Sequence, residues 1–339
     1  MTGHVIGLGL ESSCDETAAA VIQDGTVVLS NIISSQIDLH AEYFGVVPEI
    51  ASRAHLEVIN SLIDRALDEA GVTFDDLDYV AATNRPGLVG SLMVGLQSAK
   101  TISYIQKIPL ITVNHLEAHL YAPYLDGHDA VYPVIGLLVS GGNTALYIIR
   151  GVGRMELLGK TGDDAVGEAY DKIAKYMKLG YPGGPIIDNL ARNATKRDIR
   201  FPRLLASKND SWTFSYSGLK TAVINYLREH PAAFPEEVSY AFQESALELL
   251  VRRTFGAARS YGIGRIVIAG GVASNSRLRE LFHQEKKADE QIIIPRQDLC
   301  TDNGAMTAGI GYHYFTAGIH DSLSAEVYSK VPEGDRVSV

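Results

Sequence analysis

The chain has 339 residues, 46% hydrophobic and 21% charged, which is ordinary globular composition but too long for one small core, so two domains or two lobes around a cleft are expected. No bilayer span is expected, because the longest apolar stretch, residues 131–139, is too short, and Met1-Thr2-Gly3-His4 lacks the features of a signal peptide. Two cysteines, Cys14 and Cys300, argue against a disulfide framework and for a reducing, cytoplasmic setting, while a net charge of −10 excludes a protein that simply coats nucleic acid.

The first strand-like run is Val5-Ile6-Gly7-Leu8-Gly9-Leu10, followed by a polar turn at residues 12–16. Strands are expected over 18–22 and 26–33. A helix is expected over 48–70, where Ile50, Leu56, Val58, Ile59, Leu62, Ile63 and Leu67 build an apolar face. A strand over 79–82 leads to the Pro86-Gly87 turn, then a helix over 88–105, then the strand Leu110-Ile111-Thr112-Val113. A similar order recurs, with strands over 134–139, 145–149 and 155–158 and helices over 166–177 and 236–261. The strand Ile266-Val267-Ile268, a helix from Asn275, a strand over 291–294 and a helix opening near Thr301 complete it. Three hairpin-like strands followed by alternating helices and strands, twice over, predict two related α/β lobes.

Where the first series ends, Asn114-His115-Leu116-Glu117-Ala118-His119 places two histidines four residues apart. On a helix, positions i and i+4 share a face, so both imidazoles can reach one metal ion; a pair on a solvated face is the plain alternative. Asp302 falls where the last helix is expected to begin. Alone it is an ordinary carboxylate at a helix start, but with His115 and His119 it completes a set suited to iron(II) or zinc with open positions. A zinc protease would need H-E-x-x-H, whereas Glu117 stands two residues after His115, which turns it away from the shared face.

Two glycine turns follow apolar strands. Leu138-Val139-Ser140-Gly141-Gly142-Asn143 can bring backbone N–H groups to a phosphate or form a tight hairpin. Ala269-Gly270-Gly271 leads to Asn275, which can cap a helix or bind a ligand. Neither is a Walker loop. Tyr181-Pro182-Gly183-Gly184-Pro185 is a stiff turn flanked by Asp171 and Asp188, whose carboxylates suit ribose hydroxyls or solvent. The stretch Arg192, Lys196, Arg197, Arg200, Arg203 and Lys208 is either a basic patch for RNA or a solvated loop.

The motifs Glu11-Ser12-Ser13-Cys14-Asp15-Glu16-Thr17, Gly45-Val46-Val47-Pro48-Glu49, Pro86-Gly87-Leu88, the histidine pair, Ser140-Gly141-Gly142, Asp171-Lys172, Tyr181 to Pro185, Ser217-Gly218-Leu219-Lys220-Thr221, Gly270-Gly271-Val272 and Thr301-Asp302-Asn303 stand in one order over nearly the whole chain. In this the sequence closely resembles the TsaD family of tRNA threonylcarbamoyladenosine transferases, whose archaeal and eukaryotic members belong to the KEOPS complex. The resemblance implies the two-lobed actin-like ATPase fold, ribonuclease H-like, with a cleft between the lobes. The N-terminal lobe would comprise residues 1–110 with about 305–339, and the second lobe, with helical insertions, residues 111–304.

The resemblance further implies transfer of a threonylcarbamoyl group from threonylcarbamoyl-AMP to the N(6) amine of the adenosine 3′ of the anticodon, in tRNAs that read codons beginning with A. One divalent metal per chain, iron(II) before zinc, would sit on His115, His119 and Asp302. The nucleotide would meet Leu138, Val139, Ser140, Gly141, Gly142, Asp171, Gly184, Asp188 and Asn275. A TsaB-like paralogue and a TsaE-like ATPase are the implied partners. Two positions depart from the family: Asn143 replaces a histidine after Ser-Gly-Gly, and Arg85 replaces a glycine before the proline. Both, with Glu11 and Lys220 from the matched motifs, are further candidate site residues; no catalytic residue is assigned. A phosphoryl-transfer enzyme of the same fold would leave the histidine pair without a use, and an RNA-binding scaffold fits poorly with the acidic charge.

Overall fold

The computed structural model describes residues 3–43, 45–202 and 212–331. Contacts divide the chain into two units, one of Met1–Val131, Gly151–Met155 and Pro295–Val339, the other of Tyr132–Arg150 and Glu156–Ile294. In the first, β1 (Ile6–Glu11), β2 (Glu16–Gln23) and β3 (Val27–Ser35) form an antiparallel meander. Helices α1 (Ile37–Ala41) and α2 (Pro48–Ala70) lead to β4 (Tyr79–Arg85), which lies parallel to β1. Helix α3 (Val89–Gln106) leads to β5 (Leu110–Asn114), parallel to β4, and α4 (His115–Tyr121) follows without a loop. The sheet order is β3-β2-β1-β4-β5.

The second unit repeats that scheme. Strands β6 (Val134–Val139), β7 (Thr144–Gly151) and β8 (Arg154–Lys160) come first. Helices α5 (Val166–Tyr176), α6 (Gly183–Arg192), α7 (Ser217–Glu229) and α8 (Pro235–Tyr261) follow. Then β9 (Arg265–Ala269) pairs parallel with β6, and after α9 (Ser276–Glu285) the strand β10 (Gln291–Ile293) pairs parallel with β9. The order β10-β9-β6-β7-β8 is that of the first sheet, element for element. The doubling expected from the strand pattern is therefore present, and among the described residues four helices stand in place of two between the third and fourth strands. The chain ends its regular structure with α10 (Gly304–Thr316) in the first unit.

The units divide at 131 and 295 rather than at 110 and 304, because α4 and residues 122–126 pack on α10 and stay with it. Asp302 and both histidines thus belong to the first unit. Local chemistry accounts for the elements that were legible. Pro48 opens α2 at a position where its missing N–H costs nothing, and Gly71 closes it with φ 69°. Among the described residues, no helix is long and apolar enough to cross a membrane.

Strand β1 is central and its two faces differ. Leu8 and Leu10 join Ile59, Leu62 and Ile63 of α2 and Leu96 and Ala99 of α3 in a continuous apolar core. Gly7 and Gly9, alternating with them, leave the opposite face bare, Gly9 for α10 and Gly7 for the Tyr79 ring. A Cβ on Gly9 would lie 2.2 Å from the Gly304 carbonyl oxygen and 2.5 Å from the Ala308 nitrogen. Both are backbone atoms, so the helix itself would have to move. We expect Gly9→Ala to lower unfolding stability by about 3 kcal/mol in urea titration, the upper part of the range for overpacking. Gly218→Ala, in the first turn of α7 with open space around it, should leave stability unchanged or raise it by up to about 1 kcal/mol.

Candidate functional site

Strand β5 ends at Asn114, whose Oδ1 accepts from the Leu116 N–H (2.9 Å) and Glu117 N–H (3.4 Å) and so caps α4. This cap sets where the helix starts and directs His115 and His119 to one side. Their rings meet edge to face with centroids 4.5 Å apart. Asp302 meets them there: its Oδ1 lies 2.9 Å from His119 Nε2 and 3.6 Å from His115 Nε2. One ligand atom from each of the three residues falls within 4.8 Å of the others. Ligands about 2.1 Å from a tetrahedral ion stand about 3.4 Å apart, so the spacing fits a metal. The donor set fits as well, and His119 Nδ1 is buried without a hydrogen-bond partner.

Asp302 is not a first-turn carboxylate of α10, as its position in the sequence led us to expect. Asn303 takes the cap, accepting from the Met306 N–H at 2.9 Å. Asp302 is left outside the helix, free to face the imidazoles. Glu117 is turned away from them, as expected. Its carboxylate accepts from the Gly153 N–H (2.6 Å) and the Tyr314 hydroxyl (2.7 Å), which leaves no general base of the zinc-protease kind.

The surroundings are rich in carboxylates. Glu11, fully buried at the end of β1, lies 3.1 Å from His115 Nδ1. Burial opposes the charge of His115, but Asp302 and Glu11 outweigh it and push its pKa up to about 9. Burial likewise opposes the charge of Asp302, yet His115 and His119 hold its carboxyl down at about 2. Glu16 is pushed up to about 10 by burial and by the nearby Asp302, Asp15 and Glu11 charges. Such a concentration of carboxylates, two of them kept protonated more readily by burial, favours a cation. Arg85, at the end of β4, is buried and donates to Asn84 Oδ1.

In the second unit the turn after β6 is a tight hairpin. The Ser140 N–H donates to the Asn143 carbonyl (2.8 Å) and the Asn143 N–H to Ser140 Oγ (3.0 Å). Leu138 and Val139 are buried strand residues, whereas Gly141 and Gly142 are exposed with open space at their Cα atoms. Gly270, with φ 93°, packs on Val139: a Cβ there would come within 2.3 Å of the Val139 carbonyl oxygen. The two glycine turns therefore lie side by side at the carboxyl ends of the parallel strands β6 and β9. Sequence reasoning missed Gly167, where a Cβ would lie 2.7 Å from the Ser140 carbonyl oxygen; its lack of a side chain at the start of an amphipathic helix was the signal.

Asp171 accepts from the Gly183 N–H at 2.7 Å and so ties α5 to the start of α6. Gly184 is open to its surroundings. Asp188 accepts from the Ser276 hydroxyl (3.1 Å) and Arg192 (2.9 Å). Asn275 caps α9 through Leu278 N–H (2.9 Å) and donates to Gln243 (2.8 Å), so the capping alternative is the observed one. Lys220 pairs with Asp164, which Lys172 also contacts at 2.7 Å. In the basic stretch, Arg197 lies over the Tyr240 ring at 4.6 Å and Arg200 donates to the Ile199 carbonyl at 3.0 Å. Arg203 and Lys208 lie outside the described residues.

The model of the TsaD family, tRNA N6-adenosine threonylcarbamoyltransferase, matches residues 27–309. The enzyme of that name from Clostridioides difficile (strain 630) is 49% identical over 329 residues, covering 95% of this chain and 97% of its own. That from Syntrophus aciditrophicus (strain SB) is 46% identical over 334 residues, covering 97% and 98%. Among solved structures, T. kodakarensis HypF aligns with TM-score 0.63 at 14% identity, over 93% of this chain and 48% of its own. Component A of the Acidaminococcus fermentans (R)-2-hydroxyglutaryl-CoA dehydratase aligns with TM-score 0.55 at 14% identity, over 92% and 99%. At such identities the structural matches show the fold alone, and with the paired sheet orders they make it the two-lobed actin-like fold. The sequence matches show more: the chain belongs to the TsaD family of tRNA N6-adenosine threonylcarbamoyltransferases.

Proposed function

We propose that the chain performs the family's reaction as a metal-assisted acyl transfer. The threonylcarbamoyl group passes from threonylcarbamoyl-AMP to the N(6) amine of the adenosine 3′ of the anticodon, in tRNAs reading codons that begin with A, and AMP leaves. The observation that carries this reading is the convergence of His115, His119 and Asp302 within 4.8 Å in a chain of this family. One divalent ion per chain, iron(II) before zinc, would be held there and would supply Lewis acidity toward the acyl donor.

The chain's own residues do the rest. Gly141 and Gly142 are exposed with open space at their Cα atoms, and their backbone amides can stabilise the charge of the leaving phosphate. Asp171 and Asp188 offer carboxylates to a ribose, and Gly184 leaves room for a flat base. Asn143 cannot exchange a proton near neutral pH, so protonation of the leaving group does not fall to it. Orientation of a weakly nucleophilic aromatic amine accounts for much of the acceleration. The tRNA is gripped by the stretch from Arg192 to Lys208 together with a TsaB-like paralogue and a TsaE-like ATPase. Two free cysteines agree with a cytoplasmic setting.

Elemental analysis should find one divalent ion per chain, and the His115→Ala, His119→Ala double variant should lose it. Full metal content in that variant would overturn the ligand assignment. In calorimetry, Asp171→Ala and Gly184→Trp should each weaken AMP binding by about tenfold or more while metal content stays. Unchanged affinity would move the nucleotide elsewhere. The isolated chain should modify tRNA poorly and gain activity with its partners. Reversing Arg197, Arg200 and Arg203 to Glu should abolish tRNA binding and leave AMP binding intact. Single Arg→Ala changes in the same stretch should each flatten the salt dependence of tRNA binding, by about 0.9 in log–log slope for every phosphate no longer neutralised. Full activity in the triple reversal would show that tRNA docks on other residues.

A further inference from the structure

We propose that Glu11 is the positioning residue of the metal centre: it holds the His115 proton on Nδ1 and so presents the Nε2 lone pair to the ion. The inference rests on the metal reading above and adds to it the group that makes one ligand competent. Glu11 closes β1 with no exposed surface. Its Oε1 accepts from the Ser13 N–H at 2.7 Å. Its Oε2 accepts from the Thr83 hydroxyl at 2.5 Å and lies 3.1 Å from His115 Nδ1. Thr83 is itself fixed in β4 and stands 3.2 Å from the Thr307 hydroxyl of α10. Both carboxylate oxygens are therefore committed, and the group cannot swing toward the ion.

An ionised carboxylate only accepts hydrogen bonds. In the neutral ring that a metal requires, the imidazole nitrogen beside it must then carry the proton, and the lone pair falls on the far nitrogen, 3.6 Å from Asp302 Oδ1. Ser13 Oγ, also 3.1 Å from Nδ1, can share that proton but does not dictate it, because a hydroxyl both donates and accepts. Glu11 is not one of the three converging ligands. Among the described residues His119 has no counterpart to it, since its Nδ1 has no hydrogen-bond partner. With an ion held by His115, the arrangement would be a carboxylate–histidine–metal triad in which the outer carboxylate sets tautomer and ring angle.

A carboxamide of the same shape reverses the logic. With the Glu11→Gln carbonyl on the Ser13 N–H, its NH2 group faces His115 Nδ1 and drives the ring proton to Nε2, where the metal should bind. We therefore expect Glu11→Gln to bind zinc(II) about 10–100-fold more weakly than wild type in competition with a chromophoric chelator. Thermal unfolding of both metal-free proteins checks that the variant is folded. Nitrogen-15 NMR of histidine-labelled, zinc-loaded wild type should show His115 protonated on Nδ1 and metallated on Nε2, and this measurement decides the matter if the variant does not fold. Equal zinc affinity in a folded Glu11→Gln protein, or metallation of His115 at Nδ1, would overturn the role of Glu11 while leaving the metal site standing. Failure of the wild type to bind zinc at all would overturn both.

Discussion

The close approach of α10 to β1 governs the first unit. A helix can lie against the middle of a sheet at this distance only where both partners are bare, and Gly9 and Gly304 provide that on the two sides. A Cβ on Gly304 would come within 2.6 Å of the Ala20 nitrogen and 2.7 Å of the Gly9 carbonyl oxygen. The helix so seated carries Asn303 as its cap, and Asp302 is the residue just outside it. The position of the carboxylate relative to the imidazoles of α4 thus follows from backbone contact in the sheet. The same helix packs on α4, so both halves of the ligand set share one support.

Electrostatics adds a second constraint. Glu11, Asp15, Glu16 and Asp302 are all largely removed from water; burial, with repulsion from neighbouring carboxylates added, raises Glu16 and Asp15, whereas against the same burial His115 lowers Glu11, and His115 and His119 lower Asp302. Protonation of His115 relieves part of this in the metal-free state. A divalent ion would relieve it more fully, because its charge is larger and its ligands are already within reach. The protein holds negative charge where solvation is poor, an arrangement that weakens folding but strengthens cation binding.

The second unit uses the same strand order for another purpose. Its glycine turns sit at the carboxyl ends of the parallel strands β6 and β9, where Gly141 and Gly142 are exposed. Helix α5 comes close to the first turn because Gly167 has no side chain, and Asp171, one turn later on the same helix, reaches the start of α6. In both units a bare Cα at a helix start lets a nearby carboxylate be placed by backbone packing.

Much of this was legible in the chain itself. Apolar periodicity and capping chemistry determined α2 to its ends, since Pro48 and Gly71 act locally. Strand runs at matching intervals determined the doubled α/β pattern, and the spacing of His115 and His119 determined a shared face. The wrong start of α10, the tight hairpin at Ser140 and the capping role of Asn275 were choices among local alternatives that sequence left open. Only tertiary structure decided the rest. Asp302 lies 183 residues from His119, and its approach depends on a helix seated across the sheet. The role of Glu11 depends on Thr83, Ser13 and His115, brought together from β4, the turn after β1 and α4. Hydrophobic period and caps act over a few residues and leave their mark in sequence; hydrogen bonds between distant elements depend on packing that no short window contains.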